Sequence, residues 1–338
     1  VINKKEFKAE FAWSKEATPF NEKNKLKFRP IKKNANWGKK WESAWFNLKG
    51  DIPKDWKGKP VIAELDFSGE GLIYNNKGDA LQGITNGAIW DQNFARKQFI
   101  IYDNCKGGEK INLWVETAAN SLFGINQDED PSIDNPKRHG WFNAKVEQIE
   151  YGIFDPDLWH LCLDVQTLLG LTEKLEIDSV QRSRIINILS EALKVLGDNY
   201  SKASQARKIL KKELNKKASA SDLNVMAIGH AHIDTGWLWP VKETIRKCAR
   251  TFSTQLALIR KYPSYKFGAS QPQHYQFVKD HYPKIYSELK KAVKKGQWEL
   301  QGGMWVEADC NLISGESMVR QILHGKNFYM DEFSVNVE

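Results

Sequence analysis

The chain has 338 residues, enough for two or more domains with their own cores. A content of 41% hydrophobic and 27% charged residues excludes a disordered chain, and no apolar run approaches the ~20 residues of a membrane helix. The net charge of +8 is modest, and its densest basic run, residues 202–217, has neither interleaved aromatic residues nor a nucleic-acid motif, so it reads as a solvated helix face with no nucleic-acid partner.

The first 30 or so residues are polar and Lys-rich and read as an extended arm against the next domain. From Trp37 onward, short strand-like runs at 43–48, 60–67, 71–74, 97–102, 111–116 and 146–151 are separated by turn signals, a pattern that predicts a β-sandwich of jelly-roll type. Trp37, Trp45, Trp56, Trp90 and Trp114 could stack on sugar, but tryptophan on an alternating strand is more often sandwich core. Residues 127–138, QDEDPSIDNPKR, read as an exposed loop. Three helices follow, at 155–171, 179–196 and 202–217, and Ser219-Ala220-Ser221 reads as a linker. The domain boundaries therefore fall at 1–151, 152–221 and 222–338.

The last region alternates strands with helices. A buried strand is predicted at 223–228, then helices at 241–262, 272–281 and 283–295, strands at 265–270 and 298–301, and a final helix at 314–330 capped by Ser314. This order predicts an α/β domain with a parallel sheet, of which only about three strands are laid down.

The motif GHAHIDTGWLWP, residues 229–240, sits where the first of these strands ends, the edge on which α/β sites are built. Alternation in an extended segment turns His230, His232 and Asp234 to one side, and an imidazole beside a carboxylate makes a half-site for zinc or a similar divalent ion. Trp237 and Trp239 follow as candidate sugar platforms. A second cluster, Trp305, Glu307 and Asp309, follows the strand at 298–301 and could share the same cleft. His274 and His324 fall on predicted helices and read as structural or surface residues. The four cysteines, Cys105, Cys162, Cys248 and Cys310, are scattered with no CxxC pair and read as free thiols in a reducing compartment. The early residues carry no signal-peptide core, so a cytoplasmic protein is expected, with vacuolar delivery left open. Val1 in place of Met points to a processed, cloned or fragmentary sequence.

GHAHIDTGWLWP, SQPQHYQF and WELQGGMWVEADCNLISGESMVRQILHGKNFYMDEF together resemble glycoside hydrolase family 38, the class II α-mannosidases. The run WVETAANSLFG, with a β-sandwich ahead of the catalytic domain, is similar to the cytosolic, vacuolar and bacterial branch. Ala308 and Ile313 stand where proline is expected and Ser334 where glycine is, none of them at a metal position.

The resemblance implies a retaining exo-α-mannosidase on a seven-stranded α/β barrel, acting on mannose-containing oligosaccharides. It implies a zinc ion, or another divalent cation such as cobalt, held through His232 and Asp234, with Trp237 under the bound sugar. His230 matches a neighbour that is not usually a ligand. The nucleophilic aspartate, the acid/base aspartate and the last zinc histidine are expected downstream of residue 338, so no catalytic residue is assigned and this length of chain is expected to be an inactive N-terminal portion. Linkage preference is left open, as is a homo-oligomer. An amidohydrolase-like metal enzyme is the alternative, since His-x-His after a first barrel strand also occurs there; it needs metal histidines on later strands. A non-catalytic carbohydrate-binding module built on the sandwich is a third reading.

Overall fold

The structure is a computed structural model that describes residues 1–86, 95–120, 143–217 and 223–338. Trp90, the loop at 127–138 and the linker at 219–221 lie outside the described residues. The strands of the first region are β1 (Ile2–Glu6), β2 (Lys8–Ser14), β3 (Arg29–Ile31), β4 (Asn36–Lys39), β5 (Ser43–Asp51) and β6 (Val61–Asp66). They continue with β7 (Glu70–Tyr74), β8 (Ala80–Ile84), β9 (Gln98–Tyr102), β10 (Lys110–Ala118), β11 (Asn143–Lys145) and β12 (Gln148–Ile153). They form a sheet of order β1-β12-β6-β9, a sheet of order β3-β2-β5-β10-β7-β8, and a β11-β4 ribbon.

The long antiparallel pair β5–β10, from Ser43↔Ala118 to Asp51↔Lys110, is the spine of the larger sheet. Alternation along β10 buries Ile111, Leu113 and Val115. Trp37, Phe46 and Phe67 interlock between the layers, with ring centroids 5.5 and 4.4 Å apart. Trp37, Trp45 and Trp56 are all buried, and the indole N–H groups of Trp37 and Trp45 donate to the carbonyls of Phe67 and Thr18. They are core residues with no free face for a sugar.

The opening residues are not an arm. β2 pairs with β5 from Lys8↔Lys49 to Ser14↔Ser43 and also with β3, burying Ala9, Phe11 and Ala12. The strand is only seven residues long and is set in a Lys-rich stretch, which hides its pattern.

Helices α1 (Pro156–Lys174), α2 (Val180–Leu196) and α3 (Ala203–Leu214) pack around Leu161, Leu168, Ile185, Leu189, Ala206 and Leu210. Asp155 and Ser179 cap the first two, accepting from the N–H of Leu158 and Arg182. By compactness the chain has two units, one comprising residues 152–226 with 1–3, the other residues 4–151 with 227–338.

In the second unit, β13 (Gly229–His230), β14 (Phe267–Ala269) and β15 (Trp298–Leu300) form a parallel sheet in chain order. Helix α4 (Val241–Lys261) connects the first two strands, α5 (Pro272–His281) and α6 (Pro283–Lys294) the next two, and α7 (Gly315–Phe333) follows. Proline opens α5 and α6, where a missing N–H costs nothing. Phe252, Phe267 and Tyr275 close around Trp298, with centroids 4.9, 4.7 and 6.4 Å from it.

The buried strand predicted at 223–228 is absent. Only Gly229 and His230 pair with β14, and Leu223, Val225 and Met226 are 90%, 88% and 85% exposed. β14 begins at Phe267, so the residues ahead of Gly229 have no partner strand opposite them among the described residues.

Helix α4 joins the α/β region to the sandwich through buried charge. Arg246 reaches Glu243 at 2.5 Å, Ser43 Oγ at 3.0 Å and the Thr117 carbonyl at 2.7 Å, and it also bonds Glu116 on β10. Lys247 and Arg250 both reach Glu70 on β7 at 2.7 Å. Gly83 on β8 is required by the fit, since a Cβ there would meet the Arg250 carbonyl oxygen at 2.8 Å. Its N–H donates to Thr254 Oγ1 at 2.9 Å.

Burial alone would raise the Glu70 carboxyl, but Lys247 and Arg250 outweigh it and hold it at about 2. A depressed carboxyl contributes stability above its unfolded value of 4.5 and loses it as pH falls through about 2. The shift is worth on the order of 3 kcal/mol. Urea midpoints should therefore show Glu70→Gln destabilised at pH 6, and losing less further stability than the parent between pH 4.5 and 2.

Candidate functional site

The site is built at the C-terminal ends of β13 and β15. After β13 the chain stays extended, so Ile233 turns inward and is buried while His232 and Asp234 turn out. His232 Nε2 faces Asp234 Oδ1 at 2.9 Å, and His232 Nδ1 lies 2.8 Å from Glu307 Oε2 in the loop after β15. Ser270, just past β14, donates its hydroxyl to the other Glu307 oxygen. The two clusters read separately from the sequence thus meet on one imidazole.

The imidazole lies between two carboxylates, and with Nδ1–H donated to Glu307 it is Nε2 that is left to ligate beside Asp234. A carboxylate holding one ring nitrogen so that the other can ligate is the usual support of a metal-binding histidine. This donor chemistry fits a divalent ion through His232 and Asp234, with Glu307 as the orienting group. Hydrogen bonding to the Asp234 carboxylate, which accepts, raises the His232 pKa against the opposing effect of burial, with Glu307 adding to it. Among the described residues no set of three or more His, Cys, Asp or Glu is placed to hold a metal ion.

Sequence reasoning missed Gln271. It sits between β14 and α5 with a left-handed backbone, φ 62°, a conformation that long side chains rarely adopt and that often marks a functional site. Its Nε2 donates to the Ile233 carbonyl at 3.0 Å, and its Oε1 accepts from Thr235 Oγ1 and from the Glu307 N–H, each at 3.2 Å. One buried amide therefore ties both loops together. A polar residue directly before Pro272 was the visible signal, since the residue before proline is pushed out of the helical region. His274 on α5 is buried behind the site, 2.9 Å from Thr235 Oγ1, and burial lowers it to about 4, so it stays neutral.

The aromatic candidates divide. The Trp237 ring is 54% exposed beside the site and stands edge-on to Trp239, centroids 5.5 Å apart. Trp239 is 7% exposed, donates to Thr244 Oγ1 at 3.0 Å and carries Lys247 Nζ 4.5 Å over its ring, so it buttresses Trp237. Trp305 is half-buried, bonded to Gln273 Oε1 at 2.9 Å and edge-on to Phe328. Its loop is strapped to α7 by hydrogen bonds from the N–H groups of Trp305 and Val306 to Gln321. Gly325 lets that loop lie on the helix, since a Cβ there would meet the Gly303 oxygen at 2.0 Å. Asp309 accepts from the Asn311 N–H and closes its own exposed turn. His230 is exposed on β13, outside the His232–Asp234–Glu307 group.

The cleft beside His232, Asp234 and Trp237 has a volume of about 580 Å³, within the range of small-ligand sites. Its far wall is carried by the sandwich, with Glu70, Thr85 and Arg96, and by Arg250 of α4.

Residues 222–338 match the family described as "Glycosyl hydrolases family 38 N-terminal domain". Residues 5–148 match "Alpha-mannosidase, jelly roll domain". In these two stretches the chain is similar to domains of family 38 glycosyl hydrolases and α-mannosidases. It is 33% identical to Alpha-mannosidase G of Dictyostelium discoideum over 94% of this chain and 29% of that protein. It is 32% identical to Alpha-mannosidase 2C1 of Homo sapiens over 94% of this chain and 30% of that one. The Alpha-mannosidase of Saccharomyces cerevisiae is 28% identical over 93% of this chain and 29% of its own. The chain spans less than a third of the length of these relatives. A crystal structure of Ruminococcus gnavus beta-glucuronidase covers 44% of this chain and 28% of that one at 12% identity and a TM-score of 0.30, a likeness too slight to bear on function.

Replacing Gln271 by alanine should unfasten both loops. The expected loss is about 1–3 kcal/mol in urea unfolding, together with weaker protection of the Glu307 amide from hydrogen exchange.

Proposed function

We propose that this chain carries the substrate-facing start of a retaining, zinc-dependent exo-α-mannosidase that removes terminal α-linked mannose from glycans. The observation that carries the reading is His232, held by Glu307 on one nitrogen and facing Asp234 with the other, beside the exposed ring of Trp237. The names of the relatives supply the sugar. The three parallel strands with their intervening helices support the seven-stranded barrel that the reading requires.

His232 and Asp234 would hold the metal. Zinc, when bound, supplies a Lewis acid for the sugar hydroxyls. Glu307 keeps the imidazole in the ligating tautomer, Gln271 keeps the loops in register, and Trp237 offers its face to the apolar side of the ring. Retaining hydrolysis needs a nucleophilic and an acid/base carboxylate about 5–5.5 Å apart. In this cleft Asp234 and Glu307 are both committed to His232, and neither is given a covalent role. The reading assigns those two carboxylates and the remaining zinc ligand to residues outside 1–338. The amidohydrolase reading has no such support, since His274 is turned to Thr235.

The polypeptide of residues 1–338 should show no measurable turnover of an aryl α-mannoside, whereas a longer chain with the two further carboxylates should turn it over. Real turnover by residues 1–338 alone would refute the assignment. Zinc affinity, measured by competition with a chromogenic chelator, should fall at least tenfold in His232→Ala and Asp234→Ala. In Glu307→Gln, which keeps both proposed ligands, it should fall about 10- to 100-fold.

A further inference from the structure

The start of α5 reaches both loops of the site. Gln271 bonds each of them, and the Gln273 N–H donates to the Trp305 carbonyl at 3.2 Å while its Oε1 holds the Trp305 indole. His274 Nε2 lies 2.9 Å from Thr235 Oγ1. A neutral imidazole can either donate or accept at Nε2, so its neighbours decide which.

The neighbours leave one answer. The Ile233 carbonyl can only accept, so the nitrogen of the Gln271 amide faces it. The Glu307 N–H can only donate, so the amide oxygen faces that group. Thr235 Oγ1 lies 3.2 Å from the same oxygen and must give it its single proton. A hydroxyl with its proton committed can only accept from its next neighbour. His274 Nε2 therefore carries a proton and donates it to Thr235. Gln271 and His274 are 4% and 3% exposed, so a wrong pairing here would leave a buried polar group unmet. Burial keeps the His274 ring neutral, which leaves Nδ1 bare.

The line of hydrogen bonds leads to the reactive groups. Thr235 directly follows Asp234, and Gln271 holds the N–H of Glu307, whose carboxylate lies 2.8 Å from His232 Nδ1. With the other tautomer Thr235 would have to donate to His274. Gln271 Oε1 would then lose one of its two donors, and with it part of what fixes the amide against Glu307.

We propose that His274 is a positioning residue of the site: as the Nε2–H tautomer it sets the sense of the line through Thr235 and Gln271 to Glu307, and thereby the hold of Glu307 on His232. The hydrogen-bond sense follows from the donors and acceptors alone. Its effect on metal affinity rests on the zinc reading above.

The test uses the 338-residue chain labelled with ¹⁵N-histidine at pH 7. Long-range proton–nitrogen correlation spectra in EDTA distinguish protonated from bare ring nitrogens, and His274→Gln identifies the His274 signals by their loss. A proton on Nε2 of His274 is expected. A bare Nε2, or the two tautomers in comparable amounts, would overturn the proposal. In His274→Phe, and in the near-isosteric Thr235→Val should the first not fold by circular dichroism, exchange of the Glu307 amide should quicken about tenfold. Zinc affinity, by chelator competition, should fall about three- to tenfold. His274→Gln places an amide N–H close to where Nε2–H stands and should restore both to within about twofold. Unchanged exchange in His274→Phe and Thr235→Val, or the same loss in His274→Gln as in His274→Phe, would also overturn it. A parent chain that binds no zinc, yet keeps the Nε2 proton and the rescue of the Glu307 amide by His274→Gln, would sink the zinc reading and leave the positioning role standing.

Discussion

The buried ion pairs along α4 are the constraint on which the arrangement of this unit depends. Taking Glu70, Glu116, Glu243, Arg246, Lys247 and Arg250 out of water is costly, and their mutual attraction repays it only when each reaches its partner. A greasy seam would tolerate sliding. Here a shift of one residue would strand several charges, so the seam selects one seating of the helix. Because α4 begins directly after GHAHIDTGWLWP, that seating also sets where Trp237 and the His232 loop stand relative to β7, β8 and β10.

From there the site is assembled by small polar groups. Thr244, in the first turn of α4, accepts from the Gly236 N–H and the Trp239 indole and donates to the Asp234 carbonyl, which closes the loop on itself. Gln271 then ties this loop to the one after β15. The chemistry-bearing atoms of His232, Asp234 and Glu307 are held by groups that are not themselves reactive, as positional accuracy requires.

Much of this was legible in the sequence, for identifiable reasons. The helices of the α/β region were readable because proline opens α5 and α6 and a clear apolar stripe marks α4 and α6. The strands β5, β6, β7, β9, β10 and β12 were found from apolar runs bounded by turn signals, and of these β10 alternates most clearly. β2 and β3 were not: β3 is only three residues long and contains a proline, and β2 lies in a Lys-rich stretch with turn-like residues on either side. The 223–228 run misled in the other direction: its apolar residues announced a buried strand, but burial depends on what lies opposite, which local pattern does not encode. In the site, His232 with Asp234 was readable from alternation alone. The place of Glu307 against His232 was not, because it depends on two strands lying two positions apart in one sheet. The tryptophans could be told apart only from the structure: Trp239 and Trp237 are two residues apart, yet one is buried and the other exposed.

The open lead-in to β13 has a consequence for handling the molecule. β13 is an outer strand of its sheet, and the greasy residues ahead of it face water with their backbone groups available. Such an edge invites strand addition from a second copy, and natural edges are usually blunted by charge, proline or a covering helix. From Leu223 to Ile228 there is neither charge nor proline. The apolar run is thus on the entry side of β13, at the opposite end of the strand from His232 and Asp234.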